Sequence, residues 1–155
     1  MSEPATGPNS EIRLLVAGLI EAMQRLAPFG IASVSDYAEY LFEQATGGQR
    51  VTRGNKGYDV IAPMYDRIQV KCRRLPADGR IEQRLLCRNL QPDGFDYLGA
   101  VIFMPDLTVK CALLVSRASL WPLVVSHPDS HKKIAYQQIE RLNGMIDFSD
   151  RIRRV

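Results

Sequence analysis

Within the stretch from Arg50 to Arg74, RVTRGNKGYDVIAPMYDRIQVKCRR, three side chains stand out for what they could do together: Asp59, Gln69 and Lys71. Ile68, Val70 and Cys72 alternate with Arg67, Gln69, Lys71 and Arg73, the pattern of a half-buried strand. Side chains on a strand change face at every step, so Gln69 and Lys71 share a face about 7 Å apart. Two functional side chains therefore project together from a strand whose other face is apolar, the place to look for chemistry.

Whether Asp59 joins them is a matter of register. If Pro63-Met64-Tyr65 is a three-residue loop that pairs Ala62 with Asp66, Asp59 lies opposite Gln69 and on its face. A four-residue loop pairs Val60 with Gln69 and turns Asp59 away, unless a bulge re-aims it. The first arrangement, or a bulge, is the expectation.

Two helices must precede this hairpin. From Ser10, the apolar positions Ile12, Leu15, Val16, Leu19, Ile20, Met23 and Leu26 follow the i, i+3, i+4 rule until Pro28 and Gly30. This predicts a one-faced amphipathic helix that covers the core or, as the second choice, forms a dimer seam. Ser33 with Asp36 reads as a capping box, and Val34, Tyr37, Ala38, Leu41, Phe42 and Ala45 form the next stripe, stopped by Gly47-Gly48. At about 100° per residue, Glu39 falls on the border of that stripe, where a carboxylate can lean over a sheet.

Beyond the hairpin, residues 75–90 stay ambiguous between strand and helix. The run from Leu98 to Met104 is continuously apolar and predicts a central strand buried on both faces. Val109 to Val115 should return antiparallel to it. Ser116 caps a short helix expected to stop at Pro122. Residues 129–144 read as weakly helical, and Ser149-Asp150 starts a last short helix. The order of elements predicts an α/β fold in which a mixed sheet has helical cover.

The combination of Asp59, Gln69-x-Lys71 on the following strand and an upstream helix with a bordering Glu39 resembles the PD-(D/E)xK nuclease superfamily. It is most similar to the Gln-x-Lys variants of modification-dependent restriction endonucleases and archaeal-type Holliday-junction resolvases. Gly57-Tyr-Asp-Val, Ile-Gln-Val-Lys71 and Phe95-Asp-Tyr-Leu98 extend the resemblance over residues 33–115. It implies a restriction-endonuclease-like three-layer α-β-α fold, N-terminal helices first. Residues 1–9 are expected to be a disordered lead, 10–155 one domain, 10–28 an additional helix, and about 31–116 the core.

The resemblance further implies Mg²⁺ or Mn²⁺ held by Asp59, Gln69, the Val70 carbonyl and Glu39. Lys71 would orient the attacking water, making Glu39, Asp59, Gln69 and Lys71 the catalytic set. Arg53, Lys56, Arg73 and Arg74 would hold DNA phosphates. The chain departs from the commonest pattern in having Gln69 for a glutamate and Tyr58 for the proline before the aspartate. A neutral amide is a weaker ligand for a hard cation, so an inactive DNA- or protein-binding accessory module is the alternative reading. Double-strand cleavage would call for a homodimer.

Composition sets outer bounds. The chain has 155 residues, 46% apolar and 24% charged, with a formal charge of +3, which suits one soluble domain and permits a nucleic-acid partner. Cys72, Cys87 and Cys111 are three widely spaced thiols, neither a disulfide framework nor a zinc site. No stretch reads as a membrane span and the polar start is unlike a signal peptide, so a cytoplasmic protein is expected. His127 and His131 flank Pro128, which argues for a loop over a metal pair. No serine-hydrolase spacing and no phosphate-binding glycine motif occurs.

Overall fold

In the computed structural model, the described residues are 8–51, 54, 57–78, 80 and 83–155. The first helix, α1, runs Pro8–Leu26 and passes through a 3-10 turn at Ala27–Phe29 into Gly30, whose φ of 66° turns the chain back. Helix α2 is Val34–Thr46. Half of the expected capping box forms, the Ser33 hydroxyl accepting the Asp36 N–H at 3.1 Å, while the Asp36 carboxylate reaches past Ser33 to accept the Ala32 N–H at 2.9 Å. Pro8 and Asn9, expected in the disordered lead, belong to α1, and residues 1–7 lie outside the described set.

Strands follow as β1 (Gln49–Arg50), β2 (Val60–Ala62), β3 (Asp66–Arg74), β4 (Arg84–Leu86), β5 (Tyr97–Phe103) and β6 (Val109–Ser116). Helix α3 (Arg117–Ser126), strand β7 (Lys133–Ala135), helix α4 (Tyr136–Glu140), strand β8 (Ile146–Asp147) and helix α5 (Ser149–Arg153) complete the chain. One six-stranded sheet has the order β1-β2-β3-β5-β6-β8, and β4 with β7 forms a separate ribbon. The β3–β5 pair is parallel and its neighbours are antiparallel. The fold is therefore α/β with a mixed sheet.

The sheet separates two apolar layers. Ile68, Val70, Val101, Phe103 and Leu114 face α2 and α5, where Phe42, Phe148 and Ile152 are buried. Leu98, Ala100, Ile102, Leu113 and Val115 face α3, α4 and the ribbon. β5 is buried from Leu98 to Phe103 because it has strands on both edges and helices on both faces. Gly99 lets α2 approach: a Cβ there would sit 2.8 Å from the Phe42 ring. Phe148 and Ile152, past the core boundary expected near residue 116, are packed as tightly as any residue before it.

Four expectations are corrected. Helix α3 continues through Pro122 because Leu120 and Val124, one turn apart, are both buried against the sheet; that packing outweighs the bond lost at proline. Residues 133–135, expected to be helical, form a strand, because Ile134 and Leu85 meet across the β4–β7 ribbon and are both fully buried. The third concerns α1, which covers no core: every side chain from Ser10 to Phe29 is exposed. Also, the segment Ser10–Thr46 includes a window of mean hydropathy 1.4, long and apolar enough by length and composition to cross a membrane, where none was expected.

Candidate functional site

The β2–β3 hairpin sets the geometry. Pro63–Tyr65 is its three-residue loop, and Ala62 pairs with Asp66, which takes φ 52° to close the turn. Asp59 stands just before β2, where its N–H donates to the Ile68 carbonyl at 2.8 Å and its carbonyl accepts from Val51 at 2.9 Å. Val60 points into the α2 layer, so Asp59 is turned to the other face, that of Gln69 and Lys71. Gln69 and Lys71 pair in register with Leu98 and Ala100 of β5, which belong to the α3 layer.

The carboxylate of Asp59 does two jobs with one oxygen. Oδ2 accepts the Val70 N–H at 2.7 Å and also the side-chain Nε2–H of Gln69. The first bond satisfies a β3 backbone donor at the point where β2 stops pairing with it. The second fixes the Gln69 amide, whose Nε2 lies 3.4 Å from the Val70 carbonyl, and leaves Oε1 as its acceptor atom. Beyond Ile68 the β2-facing edge of β3 has no ladder partner among the described residues.

Burial pushes the Asp59 carboxyl above its ordinary value; the Val70 N–H, the Lys71 charge and the Gln69 amide oppose that push without overcoming it. Lys71 acts on a second neighbour, Cys87, whose thiol is pushed up to about 11 by burial, again with the ammonium pulling the other way. The Lys71 charge thus acts on both the carboxylate and the thiol that follows β4.

The remaining expected residues separate. Glu39 is half-buried on α2, on the opposite face of β3, and its charge acts on the Cys72 thiol. It is not among the groups that shift Asp59. Arg73 follows Lys71 on the same face of β3 and is exposed. Arg74 donates through Nε to the Pro105 carbonyl at 2.7 Å, in the turn between β5 and β6. Arg53 and Lys56 lie outside the described residues.

Two features that hold the site escaped the reading of the sequence. Asp96 clamps the start of β3: Arg67 donates to it through N at 3.1 Å, Nε at 2.9 Å and Nη2 at 3.1 Å, and the Asp96 N–H returns to the Arg67 carbonyl at 2.8 Å. This forked ion pair fixes where β3 meets β5, and it holds the Asp96 carboxyl below the usual carboxylate range. Gly57 (φ 114°) presses on the backbone of Gly94, where a Cβ would come within 2.8 Å of Cα. That contact seats the lead into Asp59 on the turn before Asp96. The signal lay in Gly-Phe-Asp after a turn, which reads only as a loop until its partner is known.

Among the described residues, no three His, Cys, Asp or Glu side chains are grouped to hold a metal ion by themselves. The Asp59 carboxylate, the Gln69 amide and the Val70 carbonyl are grouped, with Gln69 Nε2 facing both Asp59 Oδ2 and the Val70 carbonyl. A hard cation there would take the carboxylate and, with the amide rotated, Gln69 Oε1, water filling the rest of its shell. No model of a known family matches the sequence, and a search of curated proteins finds no match.

Proposed function

We propose that this chain is a metal-dependent nuclease-like protein of the restriction-endonuclease-like kind, acting on DNA phosphodiester bonds. The observation that carries the reading is Asp59, Gln69 and Lys71 on one face, with Gln69 bonded to the Asp59 carboxylate, at the place where β2 leaves the edge of β3. Mg²⁺ or Mn²⁺ held by Asp59, Gln69 and the Val70 carbonyl supplies a Lewis acid for the phosphate and a more acidic water. Lys71 stabilises negative charge on the phosphate oxygens from the same face. Arg73, one step further along that face, binds a flanking phosphate and sets no sequence preference.

A second reading has an observation of its own: the trio carries a single carboxylate, and Glu39 stands across the strand from it. A site so short of charge suits a DNA- or protein-binding module that does not cut. Nicking of supercoiled plasmid in Mg²⁺ or Mn²⁺ separates the two. The nuclease reading expects cleavage by the wild type and at least a ~100-fold loss in Asp59→Ala and Lys71→Ala, the scale of a lost charge-stabilising group. Cleavage that survives both substitutions sinks it. A wild type that retards DNA without nicking it in either metal favours the binding module.

A further inference from the structure

Helix α1 takes no part in the site, yet it carries the largest apolar display on the molecule. Ile12 is 56% exposed, Leu15 67%, Val16 47%, Leu19 59%, Ile20 50%, Met23 46% and Leu26 42%. At about 100° per residue these seven side chains form one stripe, with Leu14, Glu21 and Arg25 behind it. Monomeric soluble proteins rarely leave so continuous a surface uncovered.

The helix is held away from the domain. Arg50 donates to the Phe29 and Gly30 carbonyls while its Nε bonds Glu43 at 3.0 Å, so the joint at the base of α1 is tied to α2 and β1. Between α1 and the domain lies a groove of about 1060 Å³, with Leu19, Met23 and Leu26 on one wall and Tyr37, Leu107 and Val155 on the other. It is open and apolar, and larger than the roughly 300–1,000 Å³ of a small-molecule pocket.

We propose that a second copy of this chain fills it, with each α1 lying antiparallel against the partner's α1 and in the partner's groove. The stripe reads the same in both directions: Ile12 with Met23, Leu15 with Ile20, and Val16 with Leu19 exchange about a midpoint between Ala17 and Gly18. A two-fold axis there brings apolar positions together along the whole seam, as an isologous interface requires. The helix ends choose the direction: antiparallel packing sets each N-terminus beside the partner's C-terminus, whereas parallel packing stacks like ends. A 19-residue helix is about 28 Å long, and a seam of that length on both protomers plus the groove walls is of the order of the ~1,200 Å² a stable interface buries.

The arrangement is independent of what Asp59 does, and light scattering on the full chain tests it. Twice the chain mass is expected for the wild type. Leu15→Glu/Leu19→Glu should give a monomer with unchanged circular dichroism, since both side chains are exposed and fold nothing. A monomeric wild type overturns the proposal, as does a dimer that ignores the Leu15→Glu/Leu19→Glu pair. So does a monomer that sediments with phosphatidylglycerol vesicles, which would give the stripe to a bilayer.

Discussion

The Asp59 carboxylate accepts the backbone N–H of Val70 at 2.7 Å, so the candidate ligand is also a structural part of the strand that carries the other two. A side chain with both roles ties the chemistry of the site to the stability of the fold.

Asp59→Asn separates the two roles. The Asp59 carboxyl titrates above its unfolded value of 3.8 because burial penalises its charge. Between those two values the folded state binds more protons than the unfolded, so this group's contribution to stability falls as pH rises and stays low above the folded pKa. The asparagine keeps an oxygen for the Val70 N–H and carries no charge. It is expected to raise Tm near neutral pH and to gain nothing at pH 3. Cleavage should be abolished. Calorimetry at both pH values checks the sign; a lower Tm for the variant at neutral pH refutes it.

Lys71→Met removes the ammonium that lowers both Asp59 and Cys87. Both groups should then titrate higher than in the wild type, Asp59 by carboxyl-carbon NMR and Cys87 by thiolate absorbance. A shift in Asp59 alone would mean that the Lys71 charge does not reach Cys87.

Gly57→Ala tests the seat of the site. The new Cβ would meet Gly94 Cα at 2.8 Å, and φ 114° is unfavourable for alanine. A cost of about 1–3 kcal/mol is expected. Because the strain falls two residues from Asp59, plasmid nicking should drop even where the variant remains folded. Gly54→Ala (φ 105°, nothing within 4 Å) is the control for backbone strain without the clash.

Asp96→Ala should destabilise the domain by about 1–2 kcal/mol, less than a buried charged network would cost, because both partners are about one-third exposed. The Asp96 carboxyl lies below its unfolded value, so its contribution is present above pH 3.8 and lost as pH falls through the folded value. The wild-type advantage over the variant should therefore vanish in acid. Chemical denaturation at pH 7 and pH 2.5 measures it, and an undiminished difference at the lower pH would be evidence against the ion pair.

What local pattern can encode was legible in the sequence. The α2 cap at Ser33, the two-sided burial of β5, and the face shared by Gln69 and Lys71 each follow from periodicity or from one turn residue, and all three stand in the structure. The three-residue loop at Pro63–Tyr65 was legible too, and with it the side to which Asp59 turns.

Tertiary structure decided the rest, because it depends on partners far away in the chain. Lys133–Ala135 is a strand only because Arg84–Leu86 lies beside it, and α3 tolerates Pro122 only because Leu120 and Val124 find a core. The α1 stripe announces an apolar surface without saying what it covers, and here the fold leaves it outside. Glu39 stands at the edge of its helix as periodicity requires, yet which side of β3 that edge overlooks is fixed by how α2 packs on Gly99. Periodicity is a property of neighbouring residues; the meeting of Asp59 with Val70, or of Arg67 with Asp96, exists only once distant backbone has closed around it.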